Sequence, residues 1–96
     1  MSPTAVLATL VSPDGRRDDV LAALQSLAAA SADEPGTALF LVTERRDAPG
    51  TFTVLEQYRD DEAVRAHRTS GAMEAFREAL QELRLRPDLV FLDPVS

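Results

Sequence analysis

The sequence predicts a single α+β domain with the element order βαββαβ, and three observations carry that prediction. Thr4–Val11, Thr37–Glu44 and Phe52–Tyr58 are short apolar runs bounded by turn residues, the mark of strands. The segments that follow the first and third of them repeat apolar residues at helical spacing. Finally, 96 residues leave room for one core, which buries roughly 65% of the surface of the unfolded chain, so all these elements must share it.

Thr4–Val11, TAVLATLV, is apolar at both parities, as expected of a strand covered on both faces. Ser12, Pro13, Asp14 and Gly15 make a turn and helix entry, and Asp18 and Asp19 suit the positive end of a helix dipole. Val20, Leu24, Leu27 and Ala28, with Leu21 beside them, then mark one face of a helix of about four turns that ends in the Ser31–Gly36 loop. Thr37–Glu44, TALFLVTE, is again apolar at both parities. One layer of helices covers only one face of a sheet, so the other face should meet a second copy of the chain.

Arg45–Gly50 carries the Ala-Pro-Gly signal of a hairpin connection, and Phe52–Tyr58 returns as the partner strand. Along it Phe52, Val54, Glu56 and Tyr58 share one face, and Thr53, Leu55 and Gln57 the other. Asp60 is a suitable N-cap, with Asp61 and Glu62 in the first turn of the helix it opens. Val64 and His67 lie on one face of that helix. Ser70-Gly71 breaks it, and Met73, Phe76, Leu80 and Leu83 resume an apolar stripe up to Arg86, where Pro87 forbids continuation. Leu89–Leu92 reads as a short fourth strand before an Asp93–Ser96 tail. The order fits a ferredoxin-like, antiparallel four-stranded sheet with helices on one face, in one domain spanning residues 1–96.

Composition narrows the chemistry. The formal charge is -6 with a pI near 4.6, which disfavours nucleic-acid binding because that depends on a clustered basic face. All 10 basic residues are arginine, so lysine Schiff-base chemistry is excluded. With no cysteine and 1 histidine, neither a disulfide framework nor a multi-histidine zinc site can form within one protomer. The apolar runs fall well short of the roughly 20 residues of a membrane helix, and no basic leader precedes them, so a cytoplasmic protein that neither enters membranes nor binds nucleic acid is expected.

Glu34-Pro35-Gly36 before the second strand, Pro49-Gly50 followed by Phe52, Val54 and Glu56, the acidic start at Asp60–Glu62, and Ala66-His67 followed by Ser70 and Phe76 occur in a characteristic order. In these features the chain resembles the antibiotic biosynthesis monooxygenase domain, whose members are small dimeric α+β barrels. The resemblance implies a homodimer joined through the sheet faces and a pocket between each sheet and its own helices. It also implies oxidation of a small aromatic, phenolic or quinol-type compound by molecular oxygen, with no metal, flavin or other cofactor. The family often has tryptophan where Tyr58 stands, and many members have a second histidine and a phenylalanine where Ala72 and Met73 stand. Its haem-degrading branch has a ligating histidine close to the position of Arg77, so haem is not expected here.

Within that frame His67 and Tyr58 are the catalytic candidates. An imidazole titrates near neutrality and suits a general base acting on a phenolic hydroxyl, although a half-buried histidine at a packing seam has the same spacing. Tyr58 can donate to a developing oxyanion and stack on an aromatic ring, or simply pack as a strand tyrosine. Glu56 must be paired, wetted or neutralised, either by an arginine such as Arg65 or Arg68 or by orienting His67. Phe52, Val54, Glu56, Met73, Phe76 and Leu80 are the expected substrate-binding residues, the last three also reading as ordinary core. The alternative to catalysis is a dimeric module that binds a small ligand or assists another enzyme of its pathway.

Overall fold

In the computed structural model, which describes residues 2–96, the elements follow the predicted order. They are β1 (Thr4–Val11), α1 (Arg17–Ser31), β2 (Thr37–Glu44), β3 (Thr51–Tyr58), α2 (Asp61–Arg68), α3 (Gly71–Glu82) and β4 (Asp88–Leu92). The sheet is antiparallel throughout, in the order β2-β3-β1-β4. That is the ferredoxin-like arrangement, with both crossover connections placing their helices on the same face.

Register explains which residues meet. Across the helix-covered face one row runs Phe40, Glu56, Val6, Phe91, and the next runs Val42, Val54, Ala8, Leu89. Ala8, Leu10, Phe52 and Val54 are buried there beneath Val20, Leu24 and Leu27 of α1 and Phe76 and Leu80 of α3, while Val6 and Tyr58 pack against Ala63 and Val64 of α2. On the opposite face the central row is Leu41, Leu55, Leu7 and Val90. Leu41, Leu55 and Val90 are 47%, 38% and 49% exposed. The second face that the doubly apolar strands call for is thus uncovered in the single chain.

Helix ends have local causes. The Asp60 side chain accepts from Ala63 N at 2.8 Å and caps α2. Ser70 does the same for α3 through Met73 N at 3.2 Å, so the Ser-Gly break is a new helix start. The α3 helix stops at Glu82, short of the expected Arg86. Arg84 takes a left-handed conformation, with φ of 53°. Arg84 N then donates to Gln81 O at 3.1 Å and Leu85 N to Leu80 O at 2.9 Å. This pair of bonds closes a Schellman motif without its usual glycine, upstream of Pro87. The hairpin closes as expected, with Gly50 at φ 88° and its N–H donating to Glu44 Oε2 at 2.8 Å. Arg17 grips the same carboxylate at 2.7 and 3.1 Å, tying the start of α1 to the end of β2. The charged pair holds Glu44 down to about 2. Arg45 pairs with Asp47 within the connection, at 2.8 and 2.6 Å.

Candidate functional site

Between the sheet and α2 and α3 lies a cavity of about 350 Å³, within the range of about 300–1,000 Å³ typical of small-molecule pockets. Its floor is Val6, Ala8, Leu10 and Val54 of the sheet, and its sides include Met73, Phe76 and Leu80 of α3. Polar groups enter in only a few places: Glu56, Tyr58 and His67 in one set, and Arg68, Arg77 and Gln81 in another.

The first set is built by the junction of β3 and α2. Strand alternation puts Glu56 and Tyr58 on the helix-covered face, and the Asp60 cap fixes the helix phase that turns His67 toward them. The Tyr58 hydroxyl donates to Glu56 Oε1. The His67 ring lies 5.2 Å from that of Tyr58 and 5.6 Å from that of Phe40. Its Nδ1 meets Glu34 Oε1 at 2.9 Å, and Thr37 Oγ1 donates to the same oxygen at 2.8 Å. A carboxylate cannot donate, so Nδ1 carries a proton, and in the neutral ring Nε2 keeps the lone pair. Nε2 has no hydrogen-bond partner among the described residues, its nearest acid being Glu56 Oε1 at 4.0 Å. The result is a carboxylate-oriented imidazole with its basic nitrogen beside the cavity.

Burial pushes the Glu56 carboxyl above the ordinary carboxylate range, against the lowering effect of the Tyr58 hydroxyl and the His67 ring. Burial, followed by the bond to Glu56, raises Tyr58 far above a free phenol, so it stays protonated and a donor. Among the described residues no three His, Asp or Glu side chains gather as a metal ion would require.

Of the residues expected to bind substrate, Val54, Glu56, Met73, Phe76 and Leu80 line the cavity with His67 and Tyr58. Phe52 does not. It shares their face of β3 but pairs with Leu10 and Glu44 at the hairpin end, where it is 1% exposed and lies 5.9 Å beneath the Arg17 guanidinium. The partner of Glu56 is Tyr58 rather than Arg65 or Arg68, and the group that orients His67 is Glu34. In the sequence Glu34 is visible only as the first residue of the Glu34-Pro35-Gly36 motif. The signal is Gly36: a Cβ there would come within 2.4 Å of the Ala63 Cβ, so the glycine lets the start of β2 approach α2 and carries Glu34 to His67.

Solved structures share this architecture. Rv0793 from Mycobacterium tuberculosis is 26% identical, with a TM-score of 0.91 over 99% of this chain and 97% of that one. PA3566 from Pseudomonas aeruginosa is 24% identical, with a TM-score of 0.92 over 100% and 97%. A Caulobacter crescentus protein, itself only provisionally described as an antibiotic biosynthesis monooxygenase, is 26% identical, with a TM-score of 0.89 over 99% and 92%. No curated protein matches the sequence. Residues 3–79 match the family model described as antibiotic biosynthesis monooxygenase, a span that includes Glu34, Glu56, Tyr58 and His67. The chain belongs to the antibiotic biosynthesis monooxygenase family.

Proposed function

We propose that the protein is a cofactor-independent monooxygenase acting on a small aromatic, phenolic or quinol-type compound held in the cavity beside His67. The observation that carries this reading is the unpartnered Nε2 of an imidazole whose other nitrogen is held by Glu34 at 2.9 Å. His67 takes the proton of a phenolic hydroxyl or an activated ring carbon.

The resulting anion gives one electron to molecular oxygen, and the two radicals join through a new C–O bond. As the second proton leaves that carbon, the O–O bond breaks to give a carbonyl and water. In balance, a ring methylene and one molecule of oxygen become a ring carbonyl and one molecule of water, with all four electrons supplied by the substrate. Tyr58 serves the oxygen that gains charge. If Glu56 takes up a proton during the reaction, it can donate to the Tyr58 oxygen and free the tyrosine proton for substrate.

A homodimer is part of the same reading. The Leu41, Leu55, Leu7 and Val90 row of one chain would face that of a second copy, which is how an apolar sheet face of this size avoids water. Light scattering at micromolar concentration should give twice the chain mass, and a monomeric mass would remove this element.

The reaction is tested by oxygen uptake over anthrone, naphthol and quinol compounds, with a boiled control and no added metal, flavin or nicotinamide. Uptake that falls at least a hundredfold in His67→Ala is expected. Turnover unchanged in that variant refutes the base. Specific binding of these compounds without uptake favours the ligand-binding alternative.

A further inference from the structure

We infer that the substrate carries a single anionic group, a carboxylate in the first instance, which sits at the cavity mouth against Arg68 and Arg77 while its aromatic body lies on the apolar floor. The inference rests on the reading of this cavity as the substrate site and adds a class of substrate to it.

The mouth is built from two helix positions. Arg68 follows His67 at the end of α2, and Arg77 stands on α3 beside the buried Phe76. Both arginines are exposed and both line the cavity, as does Gln81, one helical turn beyond Arg77. The cavity wall therefore passes from buried Phe76 and Leu80 to a polar rim at Arg77 and Gln81.

Neither arginine has an acidic partner within 4 Å among the described residues, which is also true of Arg46, Arg65, Arg84 and Arg86, but only Arg68 and Arg77 of these line the cavity. Arg77 is nevertheless fixed in place, because its Nη2 donates to the Arg68 carbonyl at the end of α2. One hydrogen bond to that carbonyl leaves most of the guanidinium's five N–H donors unspent. Arg68 makes no side-chain hydrogen bond among the described residues.

Charge supports an anion here. The chain carries -6 overall, so its general field repels anions. Among the described residues the only carboxyl lining the cavity is Glu56, whose burial works against its charge. An anionic ligand at the rim would thus meet two arginines without acidic partners, with the Glu56 carboxyl engaged by the Tyr58 hydroxyl. A planar fork of N–H groups suits a carboxylate in particular. A nucleotide or polyphosphate is a poor fit, because the floor is apolar and the cavity is only about 350 Å³.

The test is a binding comparison that requires no turnover. Isothermal titration in low salt would compare 1-naphthoate with 1-naphthamide and anthraquinone-2-carboxylate with anthraquinone-2-carboxamide, pairs that match in shape and differ in charge. Two rim contacts of surface strength predict that the acids bind about three- to thirtyfold tighter, a preference that shrinks at high salt. Arg68→Gln should reduce it, and Arg68→Gln with Arg77→Gln should abolish it while the amides bind as before. Because Arg77 also caps α2, Arg77→Lys serves as a folding control that retains the charge and should retain most of the preference. His67→Ala should keep the preference whatever becomes of oxygen uptake, which separates this inference from the reaction. Equal affinities across both pairs, or a preference that survives the double substitution, overturn it.

Discussion

Glu34→Gln isolates the charge that faces the imidazole. The amide oxygen can still accept from His67 Nδ1 and from Thr37 Oγ1, now 2.9 and 2.8 Å away, so the ring orientation and the Nδ1–H tautomer should survive. What disappears is the negative charge that stabilises the imidazolium formed when Nε2 takes a proton. Two unit charges about 4 Å apart at an effective dielectric constant of about 20 attract by about 4 kcal/mol. The Glu34 side chain is 22% exposed, so solvent screens part of this, and about 2 kcal/mol is a reasonable working figure. That corresponds to a fall in kcat of about thirtyfold, with KM little changed because the neutral ground state is unaffected.

Glu34→Ala should fall further, since it also frees the ring to change tautomer. With 1 histidine in the chain, nitrogen NMR of the ring gives a single set of signals and reads the tautomer directly. Wild type and Glu34→Gln should both show protonated Nδ1, and Glu34→Ala a mixture. A Glu34→Gln enzyme within twofold of wild type, or a wild-type ring protonated at Nε2, would refute the assigned role of Glu34.

Gly36→Ala should destabilise by about 1–3 kcal/mol, because its Cβ would meet the Ala63 Cβ at 2.4 Å, and Ala63→Gly should restore part of the loss; a melting temperature equal to wild type for the single variant contradicts this. Glu44 is held to about 2 in the fold against an ordinary 4.5, so its stabilising effect is complete above pH 4.5 and is lost as the pH falls toward 2. Glu44→Gln should therefore melt below wild type at neutral pH, with the gap closing across that acid range. For Glu56 the sign reverses: a raised carboxyl makes the charged form a cost at neutral pH that is relieved on acidification. Glu56→Gln should melt higher than wild type at pH 7 and lose that advantage below about pH 4.5; a lower melting temperature at pH 7 would mean that the bond from Tyr58 outweighs burial.

Legibility in the sequence follows the range of the interactions. The bounds of β1 and β2 are set by apolar runs between turn residues and match residue for residue, and the Asp60 cap is a local bond that residue type announces, whereas Ser70, expected only as part of a break, caps α3. The end of α3 escapes the sequence because Pro87 looks like the stop, whereas Arg84 supplies a left-handed residue that sequence assigns to glycine. Phe52 is misplaced by the sequence because alternation gives the face of a strand and not the position along it. Its end of β3 lies under α1, and the other end opens to the cavity. The role of Glu34 is hidden for a different reason: Glu34-Pro35-Gly36 marks the loop, but its contact with His67 spans 33 residues, and no periodicity encodes a bond between a loop and a helix.

The two faces of the sheet depart from ordinary surface in opposite ways, and each departure has its own meaning. On the helix-covered face the row Phe40, Glu56, Val6, Phe91 sets one acid among apolar neighbours. Burial works against its charge, and an apolar side chain there would serve folding better. Local choices that oppose the fold concentrate where a protein handles a ligand, and this one lies beside a cavity, a tyrosine and an oriented histidine. On the other face the row Leu41, Leu55, Leu7, Val90 contains no polar residue, although water is its only neighbour in the single chain. A surface that opposes solvation without any chemistry to offer supports the homodimer proposed above. Substitutions in the Glu56 row should therefore change reaction and ligand binding, and those in the Leu41 row should change assembly. A charged residue at Leu41 that halves the mass in solution yet leaves binding in the cavity intact would separate the two faces cleanly.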